Sequence, residues 1–270
     1  MVVVKKTIRA SSHTNARSYW PYSCAVSLGC GWSSAIWHLA DRAPQDLKSV
    51  CAKRCRDNEV MVIMGEQADI HVKILSAAST DELMGVYDGW ADRYDQELLH
   101  DWGYTSPQMA VRLLLKSMNA KGLRVLDAGC GTGLVGELLK KSGVTAVCGI
   151  DYSPGMLEQA RKKGVYDALD MADMNQPLLA PTASFDAVTC IGTFTATHVK
   201  PEAVNELIRV TRPGGKVIFT VRYDYWCATD FVDLICGLHT DGLVCIDQLR
   251  LEPYIHSEGS ECQFVVLTVL

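Results

Sequence analysis

From residue 124 to residue 222 short apolar runs alternate with helical stretches, and this alternation constrains the fold more than any other feature of the chain. The runs occupy 124–128, 145–150, 166–170, 185–191 and 216–222, and the helical stretches 133–142, 154–163 and 201–210. Runs this short and this apolar read as strands covered on both faces, which requires a parallel sheet whose crossovers are helices. The punctuation agrees: Gly143 follows one helix, Ser153 and Pro154 start the next, Gly164 ends it and Pro201 starts another. Upstream, Ser79 and Glu82 make a capping box for a helix carrying Leu83, Val86, Tyr87, Trp90, Tyr94 and Leu98 at helical spacing. Ser106 and Pro107 open a second helix that Gly122 follows. Downstream come a helix near 229–238 and strands near 243–252 and 262–270, separated by a turn around 257–260. The expected architecture is a doubly wound α/β sheet of seven strands, mostly parallel, with the last strand antiparallel because the chain closes on a hairpin.

A 270-residue chain with 48% hydrophobic content has ample material for such a core. Residues 1–80 carry ten Lys and Arg against six acids, whereas residues 81–270 carry sixteen against twenty-five. That acidic balance disfavours the basic surface that tracks nucleic-acid phosphates, so no nucleic-acid partner is expected and a small or cationic substrate suits it better. No apolar run reaches the roughly 18 residues that a membrane span needs. The eleven cysteines are scattered, and Cys130, Cys148 and Cys190 sit in or beside expected strands, as reduced core thiols do in a cytoplasmic setting. Cys24 with Cys30 and Cys51 with Cys55, near His38 and His71, lack the two-residue spacing of common zinc knuckles, so no metal is expected. Residues 1–78 have little periodicity and no acid before Asp41. They read as an N-terminal extension to a domain spanning 79–270, with a mitochondrial transit segment as the alternative to a cytoplasmic protein.

The segment "VLDAGCGTGLVGE" at 125–137 holds the chemistry. Gly131, Gly133 and Gly136 match the dinucleotide fingerprint, with Asp151 twenty residues after Gly131. The same residues also parse as Asp127-x-Gly129-x-Gly131-x-Gly133. In a dinucleotide site a carboxylate at the end of the first strand would face a pyrophosphate of like charge. Asp127 therefore speaks for the second parse.

The second parse resembles the first motif of the class I S-adenosylmethionine-dependent methyltransferases. The likeness continues through "VYDGWADRYD", "GIDYSPGMLEQARKKG", "FDAVTCIGTFTATHV" and "ELIRVTRPGGKVIFTVR", and is narrower toward the methyltransferase-like group of the Williams-Beuren syndrome region. The resemblance covers about residues 80–270 and implies a Rossmann-like sheet with S-adenosyl-L-methionine as cofactor. It implies that Tyr94, helped by Tyr87, closes over the methionine end and that Asp127, Gly129 and Gly131 line it. Asp151 would then hold the ribose, Tyr152 and Met156 would lie against adenine, and Asp173 and Met174 would meet the adenine edge.

Methyl transfer is a displacement at a carbon already activated by sulfonium, so positioning supplies most of the catalysis. If the acceptor must lose a proton, His198 after the fourth strand is the candidate base. Nothing in the sequence sets a base beside Cys130 or Cys190, so neither reads as a nucleophile. A small-molecule acceptor is the first expectation; a protein substrate, or a module that binds cofactor without catalysis, are the alternatives.

Overall fold

The structure is a computed structural model that describes residues 79–195 and 199–270, together with Ile70, Lys73, Ile74, Ser76 and Ala77, all within the unit Lys48–Leu270. The cysteine pairs with His38 and His71, nearly all of the N-terminal extension, and His198 lie outside the described residues.

Helix α1 spans Thr80–Gln96 and runs into a π-helical turn at Glu97–Asp101. The Ser79 hydroxyl accepts from the Glu82 amide at 3.2 Å, as the capping pattern requires. Then follow α2 (Ser106–Ser117), β1 (Arg124–Ala128), α3 (Leu134–Lys141), β2 (Ala146–Asp151), α4 (Pro154–Lys163), β3 (Ala168–Met171) and β4 (Phe185–Phe194). The chain continues through α5 (Ala203–Val210), β5 (Thr211–Arg222), α6 (Tyr223–Ala228), α7 (Phe231–Thr240), β6 (Val244–Pro253) and β7 (Glu261–Val269). The seven strands form one sheet in the order β3-β2-β1-β4-β5-β7-β6. All neighbours pair in parallel except β7, which is antiparallel to both β5 and β6.

Period-two alternation divides the core between the two faces. Val125, Val147, Ala187, Ile218 and Val266 face a cluster that includes Ala110 and Leu114 of α2, Leu139 of α3, and Trp90 of α1. Leu126, Val188, Val217, Phe219 and Val265 face the other, which Leu207 of α5 and Phe231 and Ile235 of α7 complete. Ile70 and Ile74 pack against the first cluster, so packing on this core begins upstream of residue 79. Among the described residues no helix is long and apolar enough to cross a membrane.

Three local departures from the expected elements have physical causes. β5 begins at Thr211 because Thr211 pairs with Phe185; the register then skips to Lys216 opposite Ala187, leaving "RPGG" as a bulge within the strand. β4 continues past Cys190 to Phe194 through Gly192, whose φ of +80° bends it without ending it. The short α6 is stabilised by burial rather than by a cap: Trp226 stacks on Phe231 with ring centroids 5.7 Å apart.

Candidate active site

The C-terminal ends of β1, β2 and β4 open beside one another where the strand order reverses, the place at which doubly wound sheets bind ligands. A cleft of about 750 Å³ lies there. Its floor is Gly129 and Gly131 from the loop after β1, its back wall Asp151, Tyr152 and Met156, and one end Asp173, Met174 and Asn175. Ile191, Gly192, Thr193 and Val199 form the other end, and Met84, Tyr87 and Tyr94 of α1 also line the cleft.

Asp151 ties the loop to the next helix. Its Oδ2 accepts from the Gly131 amide at 2.8 Å and its Oδ1 from the Ser153 amide at 2.9 Å. Each carboxylate oxygen has further acceptor capacity, which is what a ribose diol needs. Burial pushes the Asp151 carboxyl up, against the pull of the backbone donors at Ser153, Gly131 and Tyr152. The loop also hangs from Ile150, whose carbonyl accepts the amides of Gly129 and Cys130 at 2.8 and 2.9 Å. α4 begins with Ser153 capping the Met156 amide at 3.1 Å and Pro154 in its first turn, which brings Met156 to the cleft.

The glycines do different work from one another. A Cβ on Gly131 would meet nothing within 4 Å, so that position borders open cleft, and its φ of +54° favours glycine. A Cβ on Gly129 would lie 2.1 Å from Thr193 Oγ1. Gly133 and Gly136 face the Tyr166 ring, which would be 2.9 and 2.2 Å from their added carbons, and Gly133 has in addition a φ of +94°. Two of the three fingerprint glycines therefore accommodate a tyrosine rather than a ligand.

Asp127 stands apart from the other expected ligand-lining residues. It is 1% exposed and does not line the cleft. Its Oδ2 accepts from the Tyr166 hydroxyl at 2.7 Å and its Oδ1 from the Thr189 hydroxyl at 3.0 Å. Burial raises its carboxyl to about 6, opposed by those two hydrogen bonds. The acid thus lies beneath the loop, anchored by these two hydroxyls, and is absent from the cleft wall.

Tyr87 and Tyr94 line the cleft, and burial holds both phenols neutral, that of Tyr87 pushed up to about 12. Trp90 between them is 3% exposed and is the packing hub, with its ring centroid 4.6 Å from that of Tyr94 and 5.0 Å from that of Trp102. Three acids on the neighbouring face fasten α1 in place. Asp88 accepts from Ser153 Oγ at 2.5 Å and the Gly155 amide at 2.9 Å, Asp92 pairs with Gln159, and Asp95 takes the Thr132 hydroxyl and ion-pairs with Lys163 at 2.5 Å. Their spacing of four and three residues in "DGWADRYD" was a legible signal that they share one helix face. Tyr166 gave no such signal, because it meets the loop only after the chain has crossed α4.

Burial pushes the Cys190 thiol to about 12 and the Cys130 thiol well up, so both remain protonated and unreactive. Among the described residues no cluster of three His, Cys, Asp or Glu side chains could hold a metal.

Residues 126–219 match the sequence model of a family described as a methyltransferase domain. The chain is 36% identical over 164 residues to methyltransferase-like protein 27 of Homo sapiens, covering 58% of this chain and 66% of that protein. It is 36% identical over 111 residues to the malonyl-[acyl-carrier protein] O-methyltransferase of Serratia marcescens, covering 40% and 42%. The chain therefore spans less than two thirds of the length of these relatives. Its fold matches that of a Haloferax volcanii methyltransferase solved in complex with the Trm112 methyltransferase activator, with a TM-score of 0.53 and 16% identity over 68% of this chain and 97% of that one.

Proposed function

Because this chain belongs to the class I S-adenosylmethionine-dependent methyltransferases, we propose that it transfers the methyl group of S-adenosyl-L-methionine to a small-molecule acceptor. The observation that carries this reading is the fastened helix beside the cleft. Met84, Tyr87 and Tyr94 line it, and Asp88, Asp92 and Asp95 hold their helix against α4 and Thr132, which suits an acceptor small enough to sit within it. The Serratia relative is named for a reaction on a malonyl group, which is likewise small, although presented on a carrier protein.

The donor set fits the cofactor. Asp151 retains acceptor capacity at the end of β2 for a diol, Gly131 leaves the backbone open, and Tyr152, Met156 and Met174 offer apolar and aromatic surface for a purine. When bound, the cofactor supplies a methyl group already activated by a positive sulfur. The protein has then to orient and desolvate. Asp127 places negative charge under the loop, where it favours the cationic methionine end at neutral pH, above its raised pKa. Tyr87 and Tyr94 exclude water and, as neutral phenols, add no competing charge. We assign any required proton removal to His198, on its sequence position after β4.

Incubating cell extract with the protein and methyl-labelled cofactor tests the reading. Label should enter small metabolites; label entering protein alone would replace this acceptor class with a protein substrate. His198→Ala should then lower turnover about a hundredfold or more at unchanged cofactor affinity, and wild-type turnover would remove it from the reaction.

A further inference from the structure

We propose that Tyr166 is the positioning residue of the cofactor loop: its ring fills the space left by Gly133, Gly136 and Gly149, and its hydroxyl fixes Asp127 beneath Gly129–Gly133. This rests on the reading that S-adenosylmethionine binds at that loop. An added Cβ would lie 2.9 Å from the ring at Gly133, 2.2 Å at Gly136 and 2.9 Å at Gly149. Those three glycines come from the loop, α3 and β2, so one side chain wedges three elements at the point where they converge. The 2.7 Å hydrogen bond from the Tyr166 hydroxyl to Asp127 Oδ2 then occupies one oxygen of a carboxylate that is 1% exposed, and Thr189 occupies the other at 3.0 Å. A buried carboxylate without donors takes up a proton, and this one would then lose its attraction for a cationic ligand. Tyr166 is thus suited to keep Asp127 both oriented and ionised.

The titratable groups facing Asp127 are Tyr166, Cys130 and Cys190, all kept protonated by burial, and Asp151, whose charge adds to the upward push. The Gly136 amide of α3 also donates to it. Removing the Tyr166 hydroxyl therefore displaces the titration of Asp127 upward, by about one pH unit for a hydrogen bond to a charged group.

The test is calorimetric titration of S-adenosylmethionine into wild type, Tyr166→Phe and Thr189→Val between pH 5.5 and 8.5. Tyr166→Phe keeps the ring and so keeps the loop filled. Its affinity should be about fivefold below wild type near pH 6 and within about twofold at pH 8.5, where Asp127 is ionised in both proteins. Thr189→Val should show the same pH-dependent deficit, and keeps the proposal testable if the phenylalanine variant does not fold. In an Asp127→Asn background the Tyr166→Phe effect should vanish. Equal affinity at every pH, or a deficit of constant size across the range, would overturn the role given to Tyr166. Absence of S-adenosylmethionine binding by wild type would instead overturn the cofactor reading on which it rests.

Discussion

Replacing Gly136 by alanine pits helix propensity against packing at one atom. Gly136 lies inside α3, where alanine is ordinarily favoured by about 1 kcal/mol. Here the new methyl would sit 2.2 Å from Tyr166 Cζ, 2.3 Å from its hydroxyl oxygen and 2.6 Å from Cε1. The ring already lies close to Gly133 and Gly149, so relief requires it to swing toward the hollow it borders with Ala160 and Leu169 and to leave Asp127. Overpacking of this kind costs about 1–3 kcal/mol, and displacing the hydroxyl from Asp127 costs about 1.5–3 kcal/mol more, since the acceptor is a buried carboxylate. Packing wins, and Gly136→Ala should be destabilised by about 1.5–5 kcal/mol net of the propensity gain. For a domain of this size that lowers Tm by about 3–20 °C, which differential scanning calorimetry reads directly. The partner variant Tyr166→Ala removes the obstruction, so Gly136→Ala should cost nothing further in its background. A Gly136→Ala protein as stable as wild type, or more stable, would refute the reasoning that the tyrosine requires this glycine.

Asp151→Ala loses the acceptor for the Gly131 and Ser153 amides along with any ribose contact, and should weaken S-adenosylmethionine binding more than about tenfold by calorimetry; a folded variant with unchanged affinity would show that the carboxylate is not part of the site. Asp88→Ala combined with Asp95→Ala removes two of the three acids that fasten α1 to α4 and Thr132, leaving Asp92 on Gln159, so amides of residues 80–96 should exchange with solvent faster while those of β1 and β4 keep their protection. Asp127 has its folded-state pKa raised from 3.8 to about 6, so the folded chain holds a proton that the unfolded chain has lost between those values, and this group makes stability fall as pH rises through that window. The full effect is about 3 kcal/mol. Urea denaturation of Asp127→Asn should show that decline flattened between about pH 4 and 6 relative to wild type, and parallel profiles would exclude the burial argument.

The sequence by itself determined the architecture, because its signals are local. Apolar runs bounded by Gly143, Ser153–Pro154 and Gly164 specify strands and crossover helices wherever they occur, and a closing hairpin makes one strand antiparallel; the sheet order β3-β2-β1-β4-β5-β7-β6 follows that plan. The end of β2 at Asp151 and the loop at Gly129–Gly131 were legible for the same reason, since both are read along one strand-loop-helix unit. What only the tertiary structure decided is which side chain each of these features answers to. Asp127 looked like a ligand contact from its place in the motif, yet burial and the hydroxyls of Tyr166 and Thr189 put it under the loop. Gly133 and Gly136 matched a dinucleotide fingerprint along the sequence, yet their absent Cβ atoms make room for a ring thirty and more residues downstream. The acids of α1 share one helix face, but that this face meets the start of α4 emerges only in the fold. Contacts of this kind join residues far apart in the chain, and their energies depend on distances of a few tenths of an ångström that no local pattern encodes.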